Sequence, residues 1–250
     1  MENILLPSRI QYEDSERANE GVLVVEPCFH GYGTTLGNAL RRVLLSSLPG
    51  AAVTAVKIKG VNHEFQAVNG VKEDALEMIL NLKSIRLKAF TDEPVKLTLS
   101  VSGAKTVTAG DIAPNADVEI VNPDQAIATI TEDGVSLDME LTVRRGRGYT
   151  TSEDRGNEEG RDIGTIAIDA LFSPVRNVGY RVENTRVGEI TNYDKLIMNI
   201  ETDGTISPKE AVDQSAKILI DYFSILTNNQ PLSAVSESFE AIEEPTESEE

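Results

Sequence analysis

Two stretches with an apolar period near 3.6 residues lie toward the two ends of this chain, and they bracket a middle whose apolar period is two. Few folds accommodate that order. The later stretch is the better marked. Ser207-Pro208-Lys209-Glu210 has the form of a capping box with proline at the first helical position. Beyond it Val212, Leu219 and Leu226 recur seven residues apart, with Ala216 and Phe223 between them. This stripe is too apolar for one thin sheet face to cover and has the pattern of a helix–helix seam. The earlier stretch predicts a helix from Thr34 to Ser47, with Leu36, Leu40, Val43, Leu44 and Ser47 on one face and Pro49-Gly50 as its stop. Gly37 inside it costs about 1 kcal/mol relative to alanine, which points to close approach of another backbone. A shorter helix is predicted over 73–82, with Leu76, Ile79 and Leu80 as its buried face.

Between the helices Val95, Leu97, Leu99 and Val101 alternate with polar residues, as do Val135, Leu137, Met139, Leu141 and Val143. Both read as half-buried antiparallel strands. Further strands are predicted over 22–26, 52–58, 85–89, 117–121, 126–131, 163–170 and 195–201, separated by turn signals such as Ser102-Gly103, Asp133-Gly134 and Asp203-Gly204. The resulting fold class is α+β. One domain of antiparallel sheet and packed helices is built from both chain ends, residues 1–51 and 176–228. A strand-rich second domain, residues 52–175, is inserted into it. Residues 229–250 carry seven glutamates and no lysine or arginine, and read as a disordered acidic tail.

The net charge is −18, and −11 without the tail glutamates, which disfavours a purely electrostatic nucleic-acid binder. Cys28 is the single cysteine and there are two histidines, so neither a disulfide nor a zinc site of ordinary spacing is available, and a reducing cytosol is expected. Neither a signal peptide nor a run of about 20 apolar residues is visible, so no membrane partner is expected.

Three features carry possible chemistry. Gly31-Tyr32-Gly33-Thr34-Thr35-Leu36-Gly37 opens a helix whose N–H groups suit an anion, yet it lacks the P-loop lysine and the glycine spacing of a dinucleotide fingerprint. It is either a tight turn into a closely packed helix or the anion site of a small nucleotide-binding enzyme. Arg144-Arg145-Gly146-Arg147-Gly148-Tyr149 is the one dense basic run. It reads as a solvated loop after a strand or a protein contact in preference to a nucleic-acid contact. Arg41 and Arg42 sit on an otherwise apolar helix and point about 100° apart, so that one is free to anchor another chain.

The run Gly33-Thr34-Thr35-Leu36-Gly37-Asn38-Ala39-Leu40-Arg41-Arg42-Val43-Leu44-Leu45-Ser46-Ser47-Leu48-Pro49-Gly50 closely resembles the bacterial RNA polymerase alpha-subunit family in its N-terminal domain. Four stretches agree in order and spacing: Gly60 to Phe65, Glu73-Asp74 through Lys83, Val143 to Tyr149, and Ser173-Pro174-Val175 together with Glu201 to Ile206. The likeness covers roughly residues 1–228. It implies a non-catalytic scaffold that homodimerises through the first and last helices, using Tyr32, Leu36, Leu40, Val43 and Leu44 with Val212, Leu219, Phe223 and Leu226. It further implies contact with the large beta subunit through Arg41, Arg42 and Leu45, and with beta-prime through Lys83, Ser173, Pro174 and Val175. The nucleotidyl-transfer chemistry, with its magnesium and any zinc, then belongs to the large subunits, and no cofactor is expected in this chain. Members of the family usually continue into a small C-terminal domain that binds promoter DNA. This sequence departs from that pattern, running out in the acidic tail, so DNA is expected to be met only through the complex, in the cytoplasm.

Overall fold

A computed structural model describes residues 4–14, 17, 19–155 and 164–226; the acidic tail lies outside the described residues. Its first sheet takes strands from both chain ends: β1 (Arg9–Asp14), β2 (Glu20–Cys28), β13 (Val175–Val187) and β14 (Ile190–Thr202), in the antiparallel order β1-β2-β14-β13. Leu23 and Val25 of β2 and Leu196, Met198 and Ile200 of β14 alternate onto one face. Against that face pack the helices α1 (Tyr32–Ser46) and α3 (Pro208–Leu226), which add Leu44, Ala211 and Val212 to the same core, with Leu48 just past α1. The start of α3 is capped as its sequence predicts. The Ser207 hydroxyl accepts from the Glu210 N–H at 3.2 Å, and the Glu210 carboxylate accepts from the Ser207 N–H at 3.1 Å.

The second sheet is formed by the middle of the chain. Its order is β5 (Val95–Ser102), β9 (Ser136–Arg147), β3 (Pro49–Ile58), β4 (Leu87–Ala89) and β7 (Val118–Ile120), with β11 (Thr165–Ala167) also pairing β3. The period of two in β5 and β9 puts Leu97, Leu99, Leu137, Met139, Leu141 and Val143 into a second core. The helix α2 (Ala75–Leu82) and a ribbon of β6 (Lys105–Thr108) and β8 (Ala126–Ile130) close over it. Asp74 caps α2 by accepting from the Glu77 N–H at 2.7 Å. The fold is thus α+β. Among the described residues, no helix is long and apolar enough to cross a membrane.

Several expectations need correction. The buried face of α2 is Ala75, Met78, Ile79 and Leu82, whereas Leu76 and Leu80 are exposed; positions three, four and seven apart share one helix face, and it is this face that meets the core. Gly37 makes way for a ring, not a backbone: a Cβ there would lie 2.6 Å from Tyr180. The basic run is a strand, not a loop, since β9 continues through Arg147, which pairs with Pro49. The strands not expected include β1, β6 and the 13-residue β13. Outside Val175 and Val178, β13 turns mainly Arg, Asn and Glu toward solvent, so its propensity is poor and its pairing with β14 decides its state.

The chain passes between the two cores at Leu48–Gly50 and again at Phe172–Val175. These crossings touch so closely that a Cβ on Gly50 would stand 1.8 Å from the Phe172 carbonyl oxygen. Only glycine fits there.

Candidate functional site

The glycine loop before α1 already holds an anion, and it is the chain's own. The Gly31 and Gly33 N–H groups donate to the same Asp194 carboxylate oxygen at 2.9 and 3.0 Å. Asp194 comes from β14 and is buried. The site has the chemistry of a helix N-terminus, but its donors are spent inside the fold. A Cβ on Gly33 would meet Asp194 at 2.9 Å, so the glycine is needed for the carboxylate to approach. The nucleotide-binding alternative is not supported.

Beside this loop lies an apolar groove of about 530 Å³, lined by Ile4, Leu6, Tyr12, Tyr32, Leu36 and Leu40, among others, with Val212 and Ala216 on the α3 side. Helical geometry explains its composition. The apolar arc of α1 is wider than the sheet beneath it needs. One flank, Gly33, Gly37 and Leu44, is buried on the sheet. The other, Tyr32, Leu36 and Leu40, lines the groove. Leu44 is 0% exposed and Val212 is buried, so neither is available to a second copy as the resemblance implied; both complete the core of their own chain. Val43 and Leu219 are half-buried. Past Ala216, α3 runs beyond its own core. Phe223 is 59% and Leu226 78% exposed, and Ile220, Tyr222 and Ile225 are exposed beside them. Exposed apolar surface of this extent on a helix marks an interaction face.

A second concavity of about 590 Å³ lies where the two cores meet. It is lined by Leu45 from α1, Lys83 after α2, and Asp169, Leu171, Ser173 and Arg176 from the returning chain, with further residues between. Lys83 pairs with Asp169 at 3.4 Å. The Ser152 N–H donates to Asp169 at 2.9 Å, and this bond, with the Ser152 hydroxyl and Lys83, holds the Asp169 carboxyl below its ordinary range against the opposing effect of burial. The cleft thus brings together Leu45, expected to face one large partner, and Lys83 and Ser173, expected to face the other. Pro174 and Val175, implied as contacts, are buried. The Pro174 carbonyl accepts from the Asp203 N–H at 2.9 Å, so this turn anchors the crossing. The side chains that reach solvent here are Lys83, Tyr149, Leu171 and Arg176. For Leu171 and Tyr149 residue type alone gave no signal; the two are register partners in β10 (Tyr149–Thr150) and β12 (Ala170–Leu171).

The two adjacent arginines of α1 differ. Arg41 Nε donates to the Val178 carbonyl at 3.0 Å, tying α1 to β13. Arg42 is exposed and, among the described residues, its guanidinium has no hydrogen bond or ion pair. In the basic run, Arg145 pairs with Asp92 at 2.9 Å, and Gly146 leaves room for the Phe172 ring.

Comparison with known proteins agrees with this anatomy. Residues 56–173 match the family model described as the RNA polymerase Rpb3/RpoA insert domain. The DNA-directed RNA polymerase subunit alpha of Moorella thermoacetica is 56% identical over 205 residues, which is 82% of this chain and 65% of the relative. That of Oceanobacillus iheyensis is 53% identical over 213 residues, 85% of this chain and 67% of the relative. That of Alkaliphilus metalliredigens is 50% identical over 214 residues, 86% and 67%. The chain therefore spans about two thirds of the length of the curated relatives it matches. Identity of this order across both cores shows that the chain belongs to the family of DNA-directed RNA polymerase alpha subunits.

Proposed function

We propose that this chain is an assembly scaffold of a bacterial DNA-directed RNA polymerase: it homodimerises and then receives the two large subunits, beta and beta-prime, which carry the nucleotidyl-transfer chemistry. The observation that carries the dimer is the distal half of α3, where Phe223 and Leu226 stand in solvent beside a groove of matching character on the same molecule. A two-fold interface makes one surface its own complement, so the α3 tip of one copy covers the groove and α1 of the other. Tyr32, Leu36, Leu40, Leu219, Phe223 and Leu226 are the residues assigned to it. Arg42 is the contact for beta, and the cleft around Lys83 is the contact for beta-prime. A cytoplasmic location goes with this reading.

Sedimentation equilibrium tests the dimer. The expected result is a mass of two chains down to low concentration, and a single-chain mass for Leu40→Asp, which sets a charge in an apolar seam. A wild-type chain that sediments as a monomer at all concentrations contradicts the proposal.

A further inference from the structure

The cleft between the two cores differs in charge from the rest of the molecule. The chain carries −18 overall, yet Lys83, Arg86 and Arg176 converge on this one concavity, with Asp169 and Asp203 as its carboxylates. Both carboxylates are engaged from within the chain. Asp169 takes Lys83 and the Ser152 N–H and hydroxyl. Asp203 accepts from the Thr205 N–H at 2.9 Å and from its hydroxyl at 2.6 Å. Lys83 is thereby spent. The guanidinium groups of Arg86 and Arg176 form no ion pair or hydrogen bond among the described residues.

Both arginines rise from backbone that is held in place. The Arg86 N–H donates to Asn122 Oδ1 at 2.6 Å, and Asn122 Nδ2 donates to the Ser84 carbonyl at 3.1 Å. Arg176 follows the Ser173-to-Val175 turn, which is fixed by the bond from Asp203 to the Pro174 carbonyl and by the Ser173 hydroxyl donating to the Val175 carbonyl at 3.1 Å. Arg86, Arg176 and Asp203 also line a neighbouring pocket of about 350 Å³, together with Arg17, Glu20 and Glu201, so the two arginines stand on the wall between two concavities. The cleft floor is apolar, with Leu45, Val53, Leu82 and Ile85, and an apolar floor strengthens any charge contact above it.

From this arrangement we infer that the cleft is the receptor for an acidic loop of the beta-prime subunit, whose Asp or Glu carboxylates are taken by the planar forks of Arg86 and Arg176 while its apolar neighbours meet Leu45 and Leu171. A carboxylate matches a guanidinium fork in a two-point contact. Neither guanidinium has a partner to give up among the described residues, and this offsets part of the entropy lost when each side chain is held in one geometry. A polyanion such as nucleic acid fits less well, because beyond these two groups it meets the repulsion of an acidic surface. The inference rests on the assembly reading above and names the chemistry of one of its contacts.

The test uses the full tagged chain co-expressed with both large subunits. Arg176→Glu is the main variant because Arg176 is exposed and its loss leaves the core intact; Arg86→Gln and Arg176→Lys accompany it. The expected result for Arg176→Glu is an unchanged homodimer mass, retained beta, and a loss of about thirtyfold or more in recovered beta-prime affinity, the range for breaking one desolvated charge contact. Arg86→Gln weakens beta-prime in the same direction, and Arg176→Lys restores part of it. Retention of beta-prime at the wild-type level by both Arg176→Glu and Arg86→Gln overturns the inference while leaving the scaffold reading in place. Release of beta-prime by nuclease also overturns it, since nucleic acid would then be the ligand. Failure of the wild-type chain to retain either large subunit overturns the scaffold reading and this inference with it.

Discussion

Replacing Asp194 with alanine removes the carboxylate that two N–H groups of the α1 entry share. The Gly33 N–H is buried, so water does not replace the lost acceptor there, while the Gly31 N–H is partly accessible and is re-solvated. A hydrogen bond to a charged group contributes about 1.5–3 kcal/mol, and a buried donor left without a partner costs a further share of its desolvation. The favourable field at the helix N-terminus overlaps with these terms and is not counted again. The sum expected for Asp194→Ala is about 3–4 kcal/mol. Asp194→Asn keeps an acceptor oxygen of nearly the same shape and loses only the charge, so about 1–2 kcal/mol is expected. Urea unfolding at one fixed protein concentration reads both, as a lower midpoint with unchanged slope. The vacated position should also admit a small anion. Formate is expected to stabilise Asp194→Ala and to leave the wild type nearly unaffected. An alanine variant with the wild-type midpoint, or with no response to formate, refutes the reading of the glycine loop as a structural anion site.

Other expectations concern the interface, the crossing and acid stability. With 59% of an aromatic side chain of about 200 Å² available for burial, Phe223→Ala is expected to cost up to about 3 kcal/mol per copy. That is as much as four orders of magnitude in the dimer dissociation constant for the symmetric pair, read by sedimentation, with folding stability measured on the monomer unchanged. Leu44→Ala shows the opposite pattern, losing about 3–5 kcal/mol of folding stability because Leu44 has no exposure within its own chain; wild-type stability would contradict its placement. Gly50→Ala drives a methyl to 1.8 Å from the Phe172 carbonyl and is expected to cost about 3 kcal/mol, roughly a 6–12 °C lower Tm by calorimetry; a shift under about 2 °C would show that the crossing strands are free to separate. The Ser207 N–H, with its hydroxyl, holds the Glu210 carboxyl below its ordinary 4.5, so its contribution is complete above that value and is lost as pH falls below it. Glu210→Gln is expected to flatten the stability profile in that acid range, and an identical profile would remove the cap from the account.

How much of this was legible in the sequence depended on how local each determinant is. Period and capping chemistry are local. They place α1, α3 and β5 to within about two residues, and the start of β9, whose end lies four residues past the alternating run. The seam residues that proved buried, Leu44 and Val212, were misplaced for a non-local reason. An apolar arc on a helix does not say which part of it its own sheet will cover. The same limit applies to α2, where Leu76 and Leu80 look as buried as Met78 and Leu82 until the sheet position fixes the rotation. β13 was missed because its partner, not its composition, makes it a strand. Asp194 lies 161 residues from Gly33, and no spacing rule links them. The cleft is of the same kind. Leu45, Lys83 with Arg86, and Arg176 come from three separate segments and meet only because the chain crosses twice between its cores.

Native mass spectrometry of the complex retained by this chain, expressed with a tag alongside the two large subunits, tests the scaffold role most directly. The account predicts a single assembly holding two copies of this chain, one beta and one beta-prime, with the pair of small chains persisting as a dimer after the large subunits are stripped away. An assembly holding one copy of this chain, or a tagged chain recovered without either large subunit, would contradict it.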